Sequence, residues 1–177
     1  MRLRPVLGLL AAFPFVSGIA SATTIGYTAT HLSGSAWRYD YTLTNNSLGS
    51  PIQEFTIFFA LGAYANLSVS GSPSGWDSLV AQPNAGLPAS GFFDSLALAG
   101  GIAPAAGLAG FAVTFDYLAA GTPGAQAFDV IDPVSFVALS SGTTAVVPVP
   151  GGAWLLGTAM AAVAARVRRR LRNRGSK

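Results

Sequence analysis

Residues 37–44 read WRYDYTLT, a stretch in which apolar and polar side chains alternate without interruption. Successive side chains of a β-strand point to opposite faces, so the apolar residues of this stretch share one face and the polar residues share the other. The apolar face comprises Trp37, Tyr39, Tyr41 and Leu43. A period of two is typical of a strand with one buried and one solvated face, which predicts an antiparallel sheet.

The same alternation recurs on both sides of this stretch, and turn signals rich in Gly, Pro and Asn separate the segments. Predicted strands cover residues 24–30, 37–44, 55–59, 67–69 and 111–117, with less regular candidates at 76–80, 92–98 and 134–139. No sustained helical period interrupts them. The sequence predicts an all-β fold, a single antiparallel β-sandwich of about eight strands over residues 23–146, with a barrel as the alternative.

The alternation also assigns individual side chains to the two faces of the predicted strands. Buried positions are expected at Trp37, Tyr39, Tyr41, Phe111, Val113 and Phe115. Exposed positions are expected at Thr42, Thr44, Thr114 and Asp116.

The charges are distributed unevenly along the 177 residues, of which only 10% are charged. The chain has a net charge of +3, but nine of its ten basic residues lie near the two termini. Residues 23–150 carry one basic residue, Arg38, against seven acids, a net charge of −6. An acidic body repels phosphate, so nucleic acid is excluded as a partner.

Residues 1–22 have the three parts of a secretory signal peptide. Arg2 and Arg4 precede an apolar run at residues 6–16, and Ala20 and Ala22 supply the small residues that signal peptidase accepts. Cleavage is expected before Thr23. A membrane anchor is the weaker alternative, since the apolar run of about a dozen residues is short of the about 20 that a span needs.

The chain contains no cysteine, although an exported domain is free to form disulfides. The predicted sandwich therefore depends on packing alone. The absence of thiols also excludes cysteine-based metal sites and thiol nucleophiles, and no cofactor is predicted.

The C-terminal segment, residues 147–177, combines a proline motif, an apolar stretch and a basic cluster, in that order. The motif contains Val147, Pro148, Val149, Pro150, Gly151, Gly152 and Trp154. A helix over about residues 152–167 would rise about 24 Å, which snorkelling arginines and local thinning adapt to a bilayer. The positive-inside rule places the basic stop on the cytoplasmic side, with Arg166, Arg168, Arg169 and Arg170.

This tail resembles a PEP-CTERM sorting signal, with Pro148-Val149-Pro150 in place of the usual Pro-Glu-Pro. The resemblance implies a Gram-negative source, export, transient anchoring in the inner membrane and cleavage by an exosortase near the proline motif. Delivery to the cell surface or to an exopolysaccharide matrix would follow. A plain one-pass anchor without processing is the alternative that the tail alone leaves open.

Candidate catalytic residues are sparse and do not form a recognisable motif. His31 is the single histidine, and we expect it at the rim of the sheet. Paired carboxylates could support glycoside hydrolysis if Asp129 approached Asp132, or if Asp40 approached Glu54. The segment at residues 129–132 lacks the ladder of oxygen ligands typical of a calcium loop, so no metal site is predicted.

Aromatic residues are the remaining functional signal, since tyrosine and tryptophan suit a sugar-stacking surface. The candidates are Tyr27, Trp37, Tyr39, Tyr41, Tyr64, Trp76 and Tyr117. Their position on an alternating strand face favours a role in the core over a role as a ligand platform. The favoured function is a noncatalytic surface or matrix protein. A carbohydrate-binding module is the first alternative and a carboxylate hydrolase the second.

Overall fold

The computed structural model describes residues 23–147, which form ten β-strands in two sheets. The strands are β1 (Thr24–Ser33), β2 (Ala36–Thr44), β3 (Glu54–Phe59), β4 (Tyr64–Gly71), β5 (Trp76–Ala81), β6 (Gly91–Ala97), β7 (Gly107–Tyr117), β8 (Ala127–Ile131), β9 (Ala138–Thr143) and β10 (Ala145–Val146). The first sheet has the order β10-β1-β2-β7-β4, and the second has the order β5-β6-β3-β8-β9.

The prediction of an all-β fold with two mainly antiparallel sheets is confirmed. The described residues contain ten strands rather than about eight, and they contain no helix. The pairing of β1 with β10 is parallel, with Gly26 opposite Ala145 and Tyr27 opposite Val146, so the sandwich is not antiparallel throughout.

The strand predicted at residues 134–139 is wrong for most of its length. A turn occupies this segment, and strand β9 begins only at Ala138. Asp132 starts the turn, because its Oδ1 accepts hydrogen bonds from the backbone N–H groups of Val134 at 2.8 Å and Ser135 at 3.1 Å. The preceding strand, β8, was not predicted, since its five residues offer only a short alternation.

The predicted faces of β2 and β7 are correct for all but one of the core positions. Tyr39, Tyr41, Phe111, Val113 and Phe115 are buried. Trp37 is only half-buried, which corrects the prediction. It lies on the inward face of β2 but opposite His31, near the end of the β1–β2 hairpin, where the neighbouring residues of β1 are exposed.

The predicted outward positions have the correct phase but are not all fully exposed. Thr42 is exposed, whereas Thr44, Thr114 and Asp116 are half-buried. Asp116 accepts hydrogen bonds from Ser35 at 2.9 Å and from Asn66 at 2.7 Å, so neighbouring polar side chains cover it.

Aromatic rings from the two sheets meet in the core. Phe111 of β7 contacts Phe55 of β3 and Trp76 of β5, with ring centroids 4.9 Å and 5.1 Å apart and nearly perpendicular planes. Phe59 of β3 meets Tyr64 of β4 in the same way, at 5.1 Å. Edge-to-face pairs add to the stabilisation that burial of the rings provides.

The predicted signal peptide at residues 1–22, with Ala20 and Ala22, lies outside the described residues. The same holds for the tail from Pro148 onward, including the predicted helix at about 152–167 and the basic stop. Within residues 23–147, no helix has the length and apolar character that a membrane crossing requires.

Phe111 provides a test of the aromatic core. We expect Phe111→Ala to lower the free energy of unfolding by about 3–5 kcal/mol, because it removes a buried ring and leaves a cavity between the sheets. The matched change Thr42→Val, at an exposed position of the neighbouring strand, should alter stability by about 0.5 kcal/mol or less. Urea unfolding of both variants measures the difference. A loss under about 1 kcal/mol for Phe111→Ala would contradict this packing.

Candidate binding groove

The inner face of the first sheet is uncovered at the closed end of the β1–β2 hairpin. Burial along β1 alternates as far as Tyr27, but every residue from Ala29 to Ser33 is exposed. Because both faces of a strand are exposed only where no second layer covers it, the second sheet does not reach this end of the sandwich. Trp37 lies on the inward face here and is therefore accessible from one side.

A groove of about 350 Å³ lies beside Trp37. Its walls come from β1, from the loop before β8 and from the end of β10. The lining includes Thr28, Ala29, Trp37, Pro123, Val146 and Val147. An indole in a mostly apolar groove with nearby hydroxyl groups can stack on a flat apolar ligand that also forms hydrogen bonds.

His31 lies beside Trp37 near the turn of the β1–β2 hairpin. Its ring lies against the ring of Trp37, with the centroids 4.9 Å apart and an interplanar angle of 61°. Its Nε2 is 3.0 Å from the backbone oxygen of Gly34 in the hairpin turn. The structure confirms the expected rim position of His31.

A buried hydrogen-bond network attaches the loop wall of the groove to the core. Gln126 is 3% exposed, and its Nε2 donates to the hydroxyl groups of Tyr39 at 2.6 Å and Tyr64 at 3.2 Å. The hydroxyl of Tyr41 donates to Gln126 Oε1 at 3.2 Å. The hydroxyl of Tyr39 also donates to the backbone oxygen of Gly124, at 2.7 Å, within the groove wall.

Tyr39 and Tyr41 of this network stay protonated at physiological pH. Burial raises the pKa of Tyr39 and of Tyr41 well above the usual value, and the nearby Tyr64 hydroxyl adds to both shifts. Neutral hydroxyl groups are donors as well as acceptors, so the network remains satisfied. Among residues 23–147, no buried side-chain nitrogen or oxygen is without a hydrogen-bond partner.

Of the two carboxylate pairs considered for catalysis, Asp40 and Glu54 lie on different sheets. Asp40 lies on the outer face of the first sheet and bonds to Arg38 at 2.6 Å, whereas Glu54 lies on the outer face of the second sheet. Asp129 is in the middle of β8, and Asp132 accepts the turn hydrogen bonds after that strand ends. Asp40 and Glu54 therefore do not form the carboxylate pair of a glycoside hydrolase.

The outer face of the second sheet is acidic. Thr56 lies between Asp94 on one neighbouring strand and Asp129 on the other, and its hydroxyl donates to Asp94 Oδ1 at 2.6 Å. Burial raises the pKa of Asp94 against the opposing effect of this hydrogen bond. Burial and the charge of Asp94 raise the pKa of Glu54. Even so, no three histidine or acidic side chains within the described part of the chain are placed to hold a metal ion.

Most of the candidate sugar-stacking aromatics are core residues. Tyr27, Tyr39, Tyr41, Tyr64 and Trp76 are buried, and their faces pack against other rings. Trp37 and Tyr117 are half-buried. Only Trp37 of the seven candidates combines partial exposure with a place in the groove wall.

Two of the predicted processing residues fall within the described chain. Thr23 directly precedes β1 and is 4% exposed, with its backbone N–H donating to Ser47 Oγ at 2.9 Å. Val147 directly follows β10, and its N–H donates to the backbone oxygen of Tyr27 at 2.9 Å. The other residues of the sorting motif lie outside the described residues.

Three solved structures are similar to this chain at low sequence identity. No family model and no curated protein matches the chain. The chitin-binding domain of Chi18aC from Streptomyces coelicolor is similar, with a TM-score of 0.41 and 14% identity over 60% of this chain and 90% of that chain. A family 3b carbohydrate-binding module from the biomass sensoring system of Clostridium clariflavum is also similar, with a TM-score of 0.38 and 12% sequence identity. The match covers 70% of this chain and 85% of that chain.

A third similar structure is a GH20 exo β-N-acetylglucosaminidase from Vibrio harveyi, in complex with N-acetylglucosamine. Its TM-score is 0.38 at 12% identity, over 72% of this chain but only 18% of that chain.

Gln126 provides a test of how the groove wall is held. We expect Gln126→Leu to lower the free energy of unfolding by about 1–3 kcal/mol, because it leaves buried tyrosine hydroxyl groups without their partner. Gln53→Leu, at an exposed position, is the matched control and should change stability by about 0.5 kcal/mol or less. Chemical denaturation measures both values. Equal stability of the two variants would show that the network does not stabilise the loop.

Proposed function

We propose that this chain is an exported, noncatalytic protein of the bacterial cell surface or exopolysaccharide matrix, sorted and cleaved by an exosortase. The observation that carries this proposal is the position of the two expected cleavage regions relative to the sandwich. Thr23 directly precedes β1 and Val147 directly follows β10. Removal of the segments on either side would leave all ten described strands intact.

The roles of the acidic side chains support a noncatalytic protein. Asp40 pairs with Arg38, Asp94 accepts from Thr56, and Asp132 accepts from the turn after β8. Asp116 accepts from Asn66 and Ser35, and these hydrogen bonds lower its pKa. These acids thus have structural partners within the described part of the chain.

The proposed sorting is tested on protein recovered from the producing bacterium. We expect mass spectrometry to find a mature N-terminus at Thr23 and a C-terminus near Pro150. Deletion of the exosortase should leave the uncut form in the inner membrane. Joint replacement of Pro148 and Pro150 by Ala should block cleavage, and neutral residues at Arg166, Arg168, Arg169 and Arg170 should impair it, because the tail would lose its fixed depth.

The matched control for the proline variant is Pro88→Ala, in an exposed loop of the sandwich, which should be processed normally. Wild-type protein that retains residues 154–177 and stays in the inner membrane would refute cleavage, and the plain one-pass anchor would replace it. An N-terminus at Met1 would refute export.

Carbohydrate binding by the sandwich is a second candidate function, favoured by the partly exposed Trp37 beside an open groove. Sugar rings have apolar faces that stack on indole, and Thr122 in the lining offers a hydroxyl group to their polar edges.

We test this second candidate by co-sedimentation of the processed protein with the matrix polysaccharide of the producing bacterium. Trp37→Ala should reduce binding about fivefold or more, since stacking on one aromatic side chain contributes on the order of 1 kcal/mol. Phe136→Ala removes an aromatic ring that is 78% exposed but belongs to the turn after β8, and it should bind as the wild type does. Equal binding of both variants would exclude the groove as the sugar site.

A further inference from the structure

The Tyr27 hydroxyl differs from the other inward tyrosine hydroxyl groups in having no hydrogen-bond partner among residues 23–147. The tyrosines of the buried network all have such partners, and these are Tyr39, Tyr41 and Tyr64. The ring of Tyr27 packs edge-to-face against that of Tyr39, with the centroids 5.1 Å apart. Its position in the core therefore depends on the ring, and the hydroxyl is left available for another partner.

This hydroxyl is accessible from the groove. No buried side-chain nitrogen or oxygen of residues 23–147 is without a hydrogen-bond partner. Because the Tyr27 oxygen has no partner among these residues, it is not fully buried, although only 4% of the whole residue is exposed. Tyr27 belongs to the groove lining, so the groove is the surface from which a ligand can reach its hydroxyl.

Tyr27 presents a neutral hydroxyl to the groove. Burial raises the pKa of Tyr27 above the usual value, and the nearby Tyr64 adds to this shift. The group therefore stays protonated at physiological pH and is both a donor and an acceptor. A sugar hydroxyl has the same two capacities and is a suitable partner.

The charge distribution excludes ionic ligands. Among the described residues, the lining of the groove contains no charged side chain. Arg38, the single basic residue of the body, lies on the opposite face of β2 and pairs with Asp40 at 2.6 Å. A carboxylate or phosphate in the groove would lose water without gaining a cation, and the body's net charge of −6 would repel it. An ammonium group would likewise find no carboxylate in the lining.

We propose that the groove binds an uncharged sugar ring through two contacts, stacking on the indole of Trp37 and a hydrogen bond between a sugar hydroxyl and the hydroxyl of Tyr27. This inference rests on the second candidate function and assigns the ligand class and the polar contact of that site. The groove, about 350 Å³, is near the lower limit of about 300 Å³ for ligand pockets. It therefore suits a short segment of a saccharide.

Tyr27→Phe separates ligand binding from folding. The variant keeps the ring that packs against Tyr39 and removes a hydroxyl that no described residue binds, so the midpoint of urea unfolding should not change. Loss of one hydrogen bond to the ligand should weaken binding about threefold to tenfold. The matched control is Tyr117→Phe, because the Tyr117 hydroxyl also has no partner among residues 23–147 but lies outside the groove lining.

Binding is measured with the full chain in detergent micelles, so that the result does not depend on sorting. The probes are the matrix polysaccharide of the producing bacterium, separated by anion exchange into a neutral and an anionic fraction. We expect the wild type and Tyr117→Phe to bind the neutral fraction equally, Tyr27→Phe to bind it more weakly, and none of the three to bind the anionic fraction.

Three results would overturn the inference while leaving carbohydrate binding in place. These are equal binding by Tyr27→Phe and the wild type where Trp37→Ala binds less, binding of the anionic fraction that depends on Trp37, and a lowered unfolding midpoint of Tyr27→Phe. The last result would mean that the hydroxyl stabilises the fold instead. Failure of the wild type to bind either fraction would overturn both the inference and the second candidate function.

Discussion

Edge-to-face contact between aromatic rings of opposite sheets is the interaction on which the rest of this structure depends. Phe111 lies between Phe55 and Trp76, and thus joins β7 of one sheet to β3 and β5 of the other. The chain has no cysteine, so no covalent link can substitute for this packing. Each strand has the register that turns its rings inward, because a slip by one residue would move them all to solvent.

Because the aromatic core includes tyrosines, their buried hydroxyl groups need hydrogen-bond partners, and Gln126 is placed to provide them. The hydroxyl groups of Tyr39, Tyr41 and Tyr64 are far from bulk water and need partners inside the protein. Gln126 bonds to all three, and it follows directly on the loop that forms one wall of the groove. The loop that shapes the groove is thus held by the same hydrogen bonds that satisfy the buried tyrosine hydroxyl groups.

The groove lies at the end of the sandwich where the second sheet gives no cover. The indole of Trp37 and the hydroxyl of Tyr27 are both available there, and they differ in the contact that each can make. The indole offers a flat apolar surface, whereas the hydroxyl offers a hydrogen-bond donor and acceptor.

The sequence by itself determined the all-β class, the inward faces of β2 and β7, the rim position of His31 and most of the strand positions. These are local properties, because the period of two is present in each strand alone. The tail is likewise a local pattern, and its processing remains a prediction.

Only the tertiary structure decided four other features. These are the exposure of Trp37, the role of Gln126, strand β8 and the parallel pairing of β10. Each depends on residues that are distant in the chain. Trp37 is exposed because the second sheet does not extend over it, and Gln126 bonds to tyrosines more than 60 positions away. Strand β10, near the end of the described residues, pairs with β1, which is at their beginning. Alternation along a strand specifies which side chains turn inward, but it does not specify which strand or loop will cover them.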